Sequence, residues 1–107
     1  MKLFNIRELY KEKYKEYIVG SEQLGKHSVY LVYGEVPKSE KREMAPQGHD
    51  EILFLLSGDA ELENNEIKLT LKKEQAVYMS PDEAFTFTAL SECKYIVAGT
   101  HTTPHSH

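Results

Sequence analysis

Arginine occurs only at positions 7 and 42 of this 107-residue sequence, and 17 acidic residues outnumber 13 basic ones, for a formal charge of -4. With no arginine-rich face and a net negative charge, duplex nucleic acid is not expected as a partner. Cysteine occurs once, as Cys93, so an intrachain disulfide is excluded and nothing points to an oxidising compartment. Long hydrophobic runs are missing as well. The longest strongly apolar stretches, residues 29–33 and 52–56, are far too short to cross a bilayer. No apolar segment follows Met1-Lys2, so no signal peptide or membrane association is expected, and the expected location is cytoplasmic. The glycines at 20, 25, 34, 48 and 58 are dispersed, with no phosphate loop or dinucleotide fingerprint among them.

The chain is long enough for one domain, since a second core would leave both halves too small to be stable. At 40% hydrophobic and 28% charged residues, the composition is that of an ordinary globular protein rather than a disordered one. A domain this small buries only about two thirds of its unfolded surface, so oligomerisation is a natural source of further apolar burial.

Near the N-terminus, Asn5 can cap a helix, with Glu8 completing a capping box. Ile6, Leu9, Tyr10, Tyr14 and Tyr17 then recur near a period of 3.6. That spacing predicts a short amphipathic helix ending before Gly20; its rival is an extended arm, because Tyr17-Ile18-Val19 favours a strand. Beyond Gly25 the propensity turns to strands. Residues 27–33 are β-branched and aromatic and end at Gly34, and residues 41–45 form a weaker polar strand. Residues 51–56 form the strongest strand, stopped by Ser57-Gly58-Asp59. Further short strands follow at 60–63, 67–71, 76–79, 85–89 and 93–98, separated by Asn64-Asn65, Ser80-Pro81-Asp82 and Ser91-Glu92. Many short strands without a second long helix specify an all-β sandwich or barrel, not βαβ units. The expected organisation is an N-terminal helix or arm over residues 1–25, a barrel over 26–100 and a tail over 101–107.

Alternation of side chains then assigns faces. Ala45, Gln47, His49, Glu51, Leu53 and Leu55 share one parity if the chain stays extended through Gly48, and Ile52, Phe54 and Leu56 lie on the other face. A strand apolar on both sides needs a cover for its outer face. A second subunit, making a homodimer, or the tyrosine-bearing N-terminal segment would supply it. Phe85 and Phe87 lie opposite Thr86 and Thr88; the phenylalanines are assigned to the outer apolar layer and the threonines to the cavity.

In this pattern the sequence resembles a small single-domain cupin, a double-stranded β-helix or jelly-roll barrel. Glu51 and Gly58 stand at the spacing between the glutamate and the turn glycine of the first cupin motif, with apolar filling between them. Gln75, Pro81, Glu83 and Thr86 follow the spacing of the second motif, with Pro81 as anchor. The resemblance covers residues 29–100. Of the metal-binding residues it implies, only Glu51 is present: the His-x-His positions fall on Ala45 and Gln47, and the second-motif histidine falls on Thr86. The motif glycines are replaced by Gln75 and Glu83.

What remains is a constellation around His49 and Glu51, two apart on one strand and pointing the same way. In a metal-free reading, Glu51 is a carboxyl whose pKa is raised by an apolar barrel, acting as general acid or base with His49 as proton partner. Such a pair suits an isomerase, epimerase or lyase acting on a small polar metabolite held by Gln47, Thr86 and Thr88. In a metal-dependent reading, His49 and Glu51 are completed by tail histidines, His101 and His105 with His107, around zinc, nickel, manganese or iron, with His27 and Gln47 as local additions. The bland alternative is that His49 merely satisfies Glu51 at the barrel rim, in a non-enzymatic sensory or structural module. Cys93, with no base beside it in the sequence, is assigned to packing.

Overall fold

Among the described residues, ten strands form two antiparallel sheets. The structure, a computed structural model, describes residues 1–100. The strands are β1 (Tyr10–Lys11), β2 (Glu16–Val19), β3 (Val29–Val36), β4 (Lys41–Met44), β5 (Asp50–Ser57), β6 (Asp59–Glu63), β7 (Lys68–Lys72), β8 (Ala76–Met79), β9 (Phe85–Ala89) and β10 (Cys93–Thr100). A six-stranded sheet runs β1-β2-β3-β10-β5-β8 and a four-stranded sheet runs β4-β9-β6-β7. From β3 onward the chain changes sheet at nearly every turn, as a jelly roll requires. No helix among the described residues is long and apolar enough to cross a membrane.

The core lies between the sheets. Leu53 and Leu55 of β5 and Tyr95 of β10 meet Leu62 of β6 and Phe87 of β9, all at 0% exposure. The rings of Phe87 and Tyr95 join the two sheets with centroids 5.5 Å apart. Glu51, Leu53 and Leu55 face inward and Ile52 outward, as alternation along β5 requires. The assignment of β9 is reversed. Phe85, Phe87 and Ala89 are buried, whereas Thr86 and Thr88 lie on the solvent side of the four-stranded sheet, where the Thr86 hydroxyl donates to Glu43 at 2.8 Å. The larger apolar side chains take the core and leave the threonines outside.

The N-terminal segment takes the extended alternative. Within the span of the expected helix only Ile6–Glu8 is helical, a single 3-10 turn, and the Asn5 side chain accepts from the Arg7 backbone amide instead of forming a box with Glu8; a one-turn α-helix, α1 (Ser21–Leu24), comes after Gly20. The chain then turns at residues 12–15 and enters β2, which pairs with β3. Arg7 ties this arm to the outer face of the sheet through two hydrogen bonds to Glu35 at 3.1 and 2.7 Å, its guanidinium lying over the rings of Tyr17 and Tyr33. The arm covers one end of that face only. Val29, Leu31, Ile52 and Tyr78 remain exposed, with Ala98 between them.

Gly34 does not end its strand. It lies inside β3, and the strand continues to Val36.

Candidate functional site

The inner face of the six-stranded sheet carries two hydrogen bonds built in the same way. On β3, Tyr30 is paired with Gly99 of β10, and Gly99 is paired with Glu51 of β5. The Tyr30 hydroxyl reaches across β10 and donates to Glu51 Oε2. On β10, Tyr95 is paired with Gly34 of β3, and Gly34 is paired with Glu16 of β2. The Tyr95 hydroxyl reaches across β3 and donates to Glu16 Oε2. In each case the strand between tyrosine and glutamate presents a glycine. A methyl group at Gly34 would sit 2.3 Å from Tyr95 Cζ, and one at Gly99 would sit 2.4 Å from Tyr30 Cζ. Only a residue without Cβ lets the phenol cross.

Burial pushes the Tyr30 phenol well above the ordinary tyrosine range, and the Glu51 carboxylate pushes it further. Burial does the same to Tyr95, aided by Glu16. Both tyrosines therefore keep their protons at neutral pH and act as donors. The carboxyl whose pKa is raised is Glu16: burial is the main cause, the charge of Glu51 adds to it, and Tyr95 and Arg42 oppose it.

Glu16, Tyr30 and Glu51 line an open cavity of about 450 Å³, together with Tyr14, Val32, Ala45, Gln47, His49 and His27. A second cavity of about 330 Å³ shares Glu16, Val32, Gln47 and Glu51 with it and reaches inward to Met44, Met79 and Val97. His49 is half-buried and packs edge-on against the Tyr30 ring, with centroids 5.3 Å apart. Gln47 reaches this cavity by a different route from the one expected. The chain is not extended between β4 and β5: Gln47 and Gly48 have φ of 53° and 89°, and this turn, not strand alternation, sets Gln47 beside His49. Gln47, His49 and Glu51 thus share one cavity, while Thr86 and Thr88 are outside it.

Glu16 and Tyr30, with Tyr95 as the donor to Glu16, are the candidate-site residues that sequence reasoning missed. The signal for Glu16 lay in the extended reading of Tyr17-Ile18-Val19, which gives Glu16 and Ile18 a common inward face once β2 is taken as a strand.

A metal site of the usual cupin kind does not fit. Ala45 and Thr86 offer no ligand where two histidines would stand, and no group of three or more His, Cys, Asp or Glu among the described residues is placed to hold an ion. His101, His105 and His107 lie outside the described residues.

No protein-family model matches the sequence, nor does any curated protein. Among solved structures, 208 chains match. Ectoine synthase from P. lautus superposes with a TM-score of 0.75 at 12% identity, over 94% of this chain and 78% of that one. The cupin domain of Schizosaccharomyces pombe Cnp3 gives 0.74 at 12% identity, over 94% and 70%. The Cupin_2 domain of an XRE family transcriptional regulator from Enterobacter cloacae gives 0.63 at 16% identity, over 72% and 85%. Identities this low speak to architecture alone, and by its architecture the chain has the cupin fold.

Proposed function

We propose that the chain is a small-molecule-binding cupin whose ligand, a small polar metabolite, occupies the cavity beside Tyr30, His49 and Glu51. The observation that carries this reading is the open cavity of about 450 Å³, a size in the range of small-molecule sites. Glu51 and His49 are its proton-transferring groups, suited to a weak isomerase, epimerase or lyase reaction. Glu51 accepts a proton from the bound molecule, Tyr30 orients the carboxylate as a permanent donor, and His49 exchanges the proton.

The test is a titration of the untagged full-length protein with a library of small metabolites, followed by amide NMR shifts. Binders should move the resonances of His49 and Gly99, and Ala45→Phe, which fills the cavity mouth, should abolish those shifts while the far-ultraviolet circular dichroism is unchanged. A library without a cavity-specific binder, or binders that ignore Ala45→Phe, would overturn the reading.

We also propose that two copies pair through the exposed outer face of the six-stranded sheet. Exposed Ile52 and Tyr78, at 51% and 56%, lie in a row with Ala98 and Leu31. Asp50 lies at one end of this face and Lys94 at the other. A two-fold axis across the strands stacks apolar row on apolar row and sets each Asp50 near the partner's Lys94. Sedimentation velocity should give a dimer that Ile52→Glu converts to monomer. A wild-type monomer at every concentration would refute the pairing.

A further inference from the structure

The cavity has a charge character that its size does not require. Two carboxylates, Glu16 and Glu51, line it, and no lysine or arginine does among the described residues. Each carboxylate accepts one tyrosine hydroxyl, on its Oε2 atom. Among the described residues, the tyrosine hydroxyls occupy only Oε2, so each carboxylate keeps Oε1 as an acceptor in a residue that lines the cavity. The nearest arginine, Arg42, is held by Glu40 at 2.6 Å and by the backbone oxygens of Lys15 and Glu35 at 3.4 and 3.2 Å. Arg42 is absent from the described cavity lining, and its charge reaches the site only as a partial offset to that of Glu16. Tyr30 supplies an aromatic wall and Tyr14 hangs over the mouth from the turn between β1 and β2.

An anion entering this space would meet two carboxylates, with the imidazoles of His27 and His49 as the basic groups among the described lining residues. A neutral polyol would satisfy the acceptors but leave the two negative charges unbalanced. An ammonium group does both: its N–H donors match the Oε1 atoms, its charge offsets the repulsion between Glu16 and Glu51, and a neighbouring ring face attracts it. With a carboxylate on β2 and another on β5, two such groups on one flexible aliphatic chain use the cavity fully.

We propose that the ligand of this cavity is a small aliphatic amine, with a diammonium as the best fit, Glu16 and Glu51 being its two counter-charges. This rests on the reading of the cavity as a small-molecule site and adds the chemical class.

The test compares three probes of matched chain length by isothermal titration calorimetry at low ionic strength: cadaverine, pentanediol and glutarate. The untagged full-length protein is used, with amide NMR shifts locating each probe. Cadaverine should bind in the cavity and the other two should not. Glu16→Gln and Glu51→Gln each retain an acceptor for their tyrosine, and each should weaken cadaverine about tenfold, the loss of one charge-assisted hydrogen bond. Circular dichroism confirms that the variants are folded. If glutarate or pentanediol occupies the cavity as tightly as cadaverine, the amine assignment is wrong and the small-molecule reading stands. If cadaverine binds but neither variant weakens it, or if cadaverine does not bind at all, the assignment is also wrong. In those two cases the metabolite library decides separately whether the cavity binds anything.

Discussion

Gly34→Ala is the substitution whose cost follows most directly from the structure. The added methyl group would lie 2.3 Å from Tyr95 Cζ and 2.5 Å from its hydroxyl oxygen, more than an ångström inside normal contact. Tyr95 has no room to retreat, being at 0% exposure and packed against Phe87 of the opposite sheet. Overpacking of this kind costs about 1 to 3 kcal/mol, and for a locked ring the middle of that range, about 2 kcal/mol, is a conservative choice. Any rotation that relieves it also breaks the hydrogen bond from Tyr95 to Glu16, worth about 1.5 kcal/mol for a charged acceptor. Against this, alanine restricts the unfolded chain more than glycine does, a gain of about 0.7 kcal/mol. The net expectation is destabilisation by about 3 kcal/mol. At roughly 2.1 cal/mol/K per residue, a chain of this length loses about 13 °C in Tm.

Urea unfolding read at equilibrium gives the free energy, and a double-mutant cycle isolates the cause. Tyr95→Leu removes the ring, so Gly34→Ala in that background should cost little or nothing. Gly99→Ala provides the contrast. Its methyl group meets Tyr30 Cζ at 2.4 Å, but Tyr30 is half-buried at a cavity wall and can swing into open space, for a cost of about 1 kcal/mol. A Gly34→Ala protein within about 0.5 kcal/mol of wild type, or one whose penalty survives in Tyr95→Leu, would refute the account of the crossing tyrosine.

Three further outcomes follow from named residues. Cys93 is fully buried, its thiol pushed up by burial and donating to the backbone oxygens of Asp59 and Ser91 at 3.2 and 3.3 Å. It should ignore a thiol reagent in the native protein and react fully only after unfolding, and rapid native labelling would contradict this. Glu16 holds its proton more tightly folded than unfolded, with burial as the main cause. Native protein therefore binds more protons from the unfolded carboxyl pKa up to the raised folded one, and this contribution to stability falls as pH rises through that window. Glu16→Gln removes the term, so its stability relative to wild type should improve with rising pH across the window; a difference independent of pH would count against the burial of Glu16. Thr86→Val and Thr88→Val, on the solvent side of β9, should change unfolding free energy by less than about 0.5 kcal/mol and leave cavity binding untouched, whereas weakened binding would return them to the site.

The strand pattern and the jelly-roll class followed from residue alternation and turn chemistry, because β5 through β10 are separated by short turns that keep the period-two signal clean. Two places defeated it. Residues 6–17 carry apolar side chains at both helical and extended spacing, and pairing of β2 with β3 decided between them, a long-range contact that local propensity does not contain. In β9, parity gives two faces but not which is inside; the core volume between Leu62 and Tyr95 selects the phenylalanines. The site was half readable. His49, Glu51 and Gln47 stood out as chemistry beside a known motif spacing, but Glu16 comes from a distant strand, and Tyr30 and Tyr95 read as ordinary strand aromatics. Nothing local in Gly34 or Gly99 announces that a phenol crosses it.

Two carboxylates facing one cavity repel each other, and such a site holds its shape only if each charge is anchored. The anchors here are side chains rooted on regular strands rather than on loops, so their positions follow the sheet register: β3 sends Tyr30 over β10 to Glu51, and β10 sends Tyr95 over β3 to Glu16. Each of the two central strands supplies a tyrosine to one pair and the glycine to the other. This reciprocity makes the pairs interdependent, since a shift of β3 against β10 by one residue would turn Tyr30 to the outer face and put a β3 side chain in place of Gly34 beneath Tyr95. Placement on regular strands leaves the Oε1 atoms, with Gln47 and His49 of the same lining, to meet what enters. The selectivity of the cavity should therefore lie in charge and hydrogen-bond donors rather than in induced fit, and substitutions that keep the register but neutralise one carboxylate should alter which ligand binds before they alter whether the protein folds.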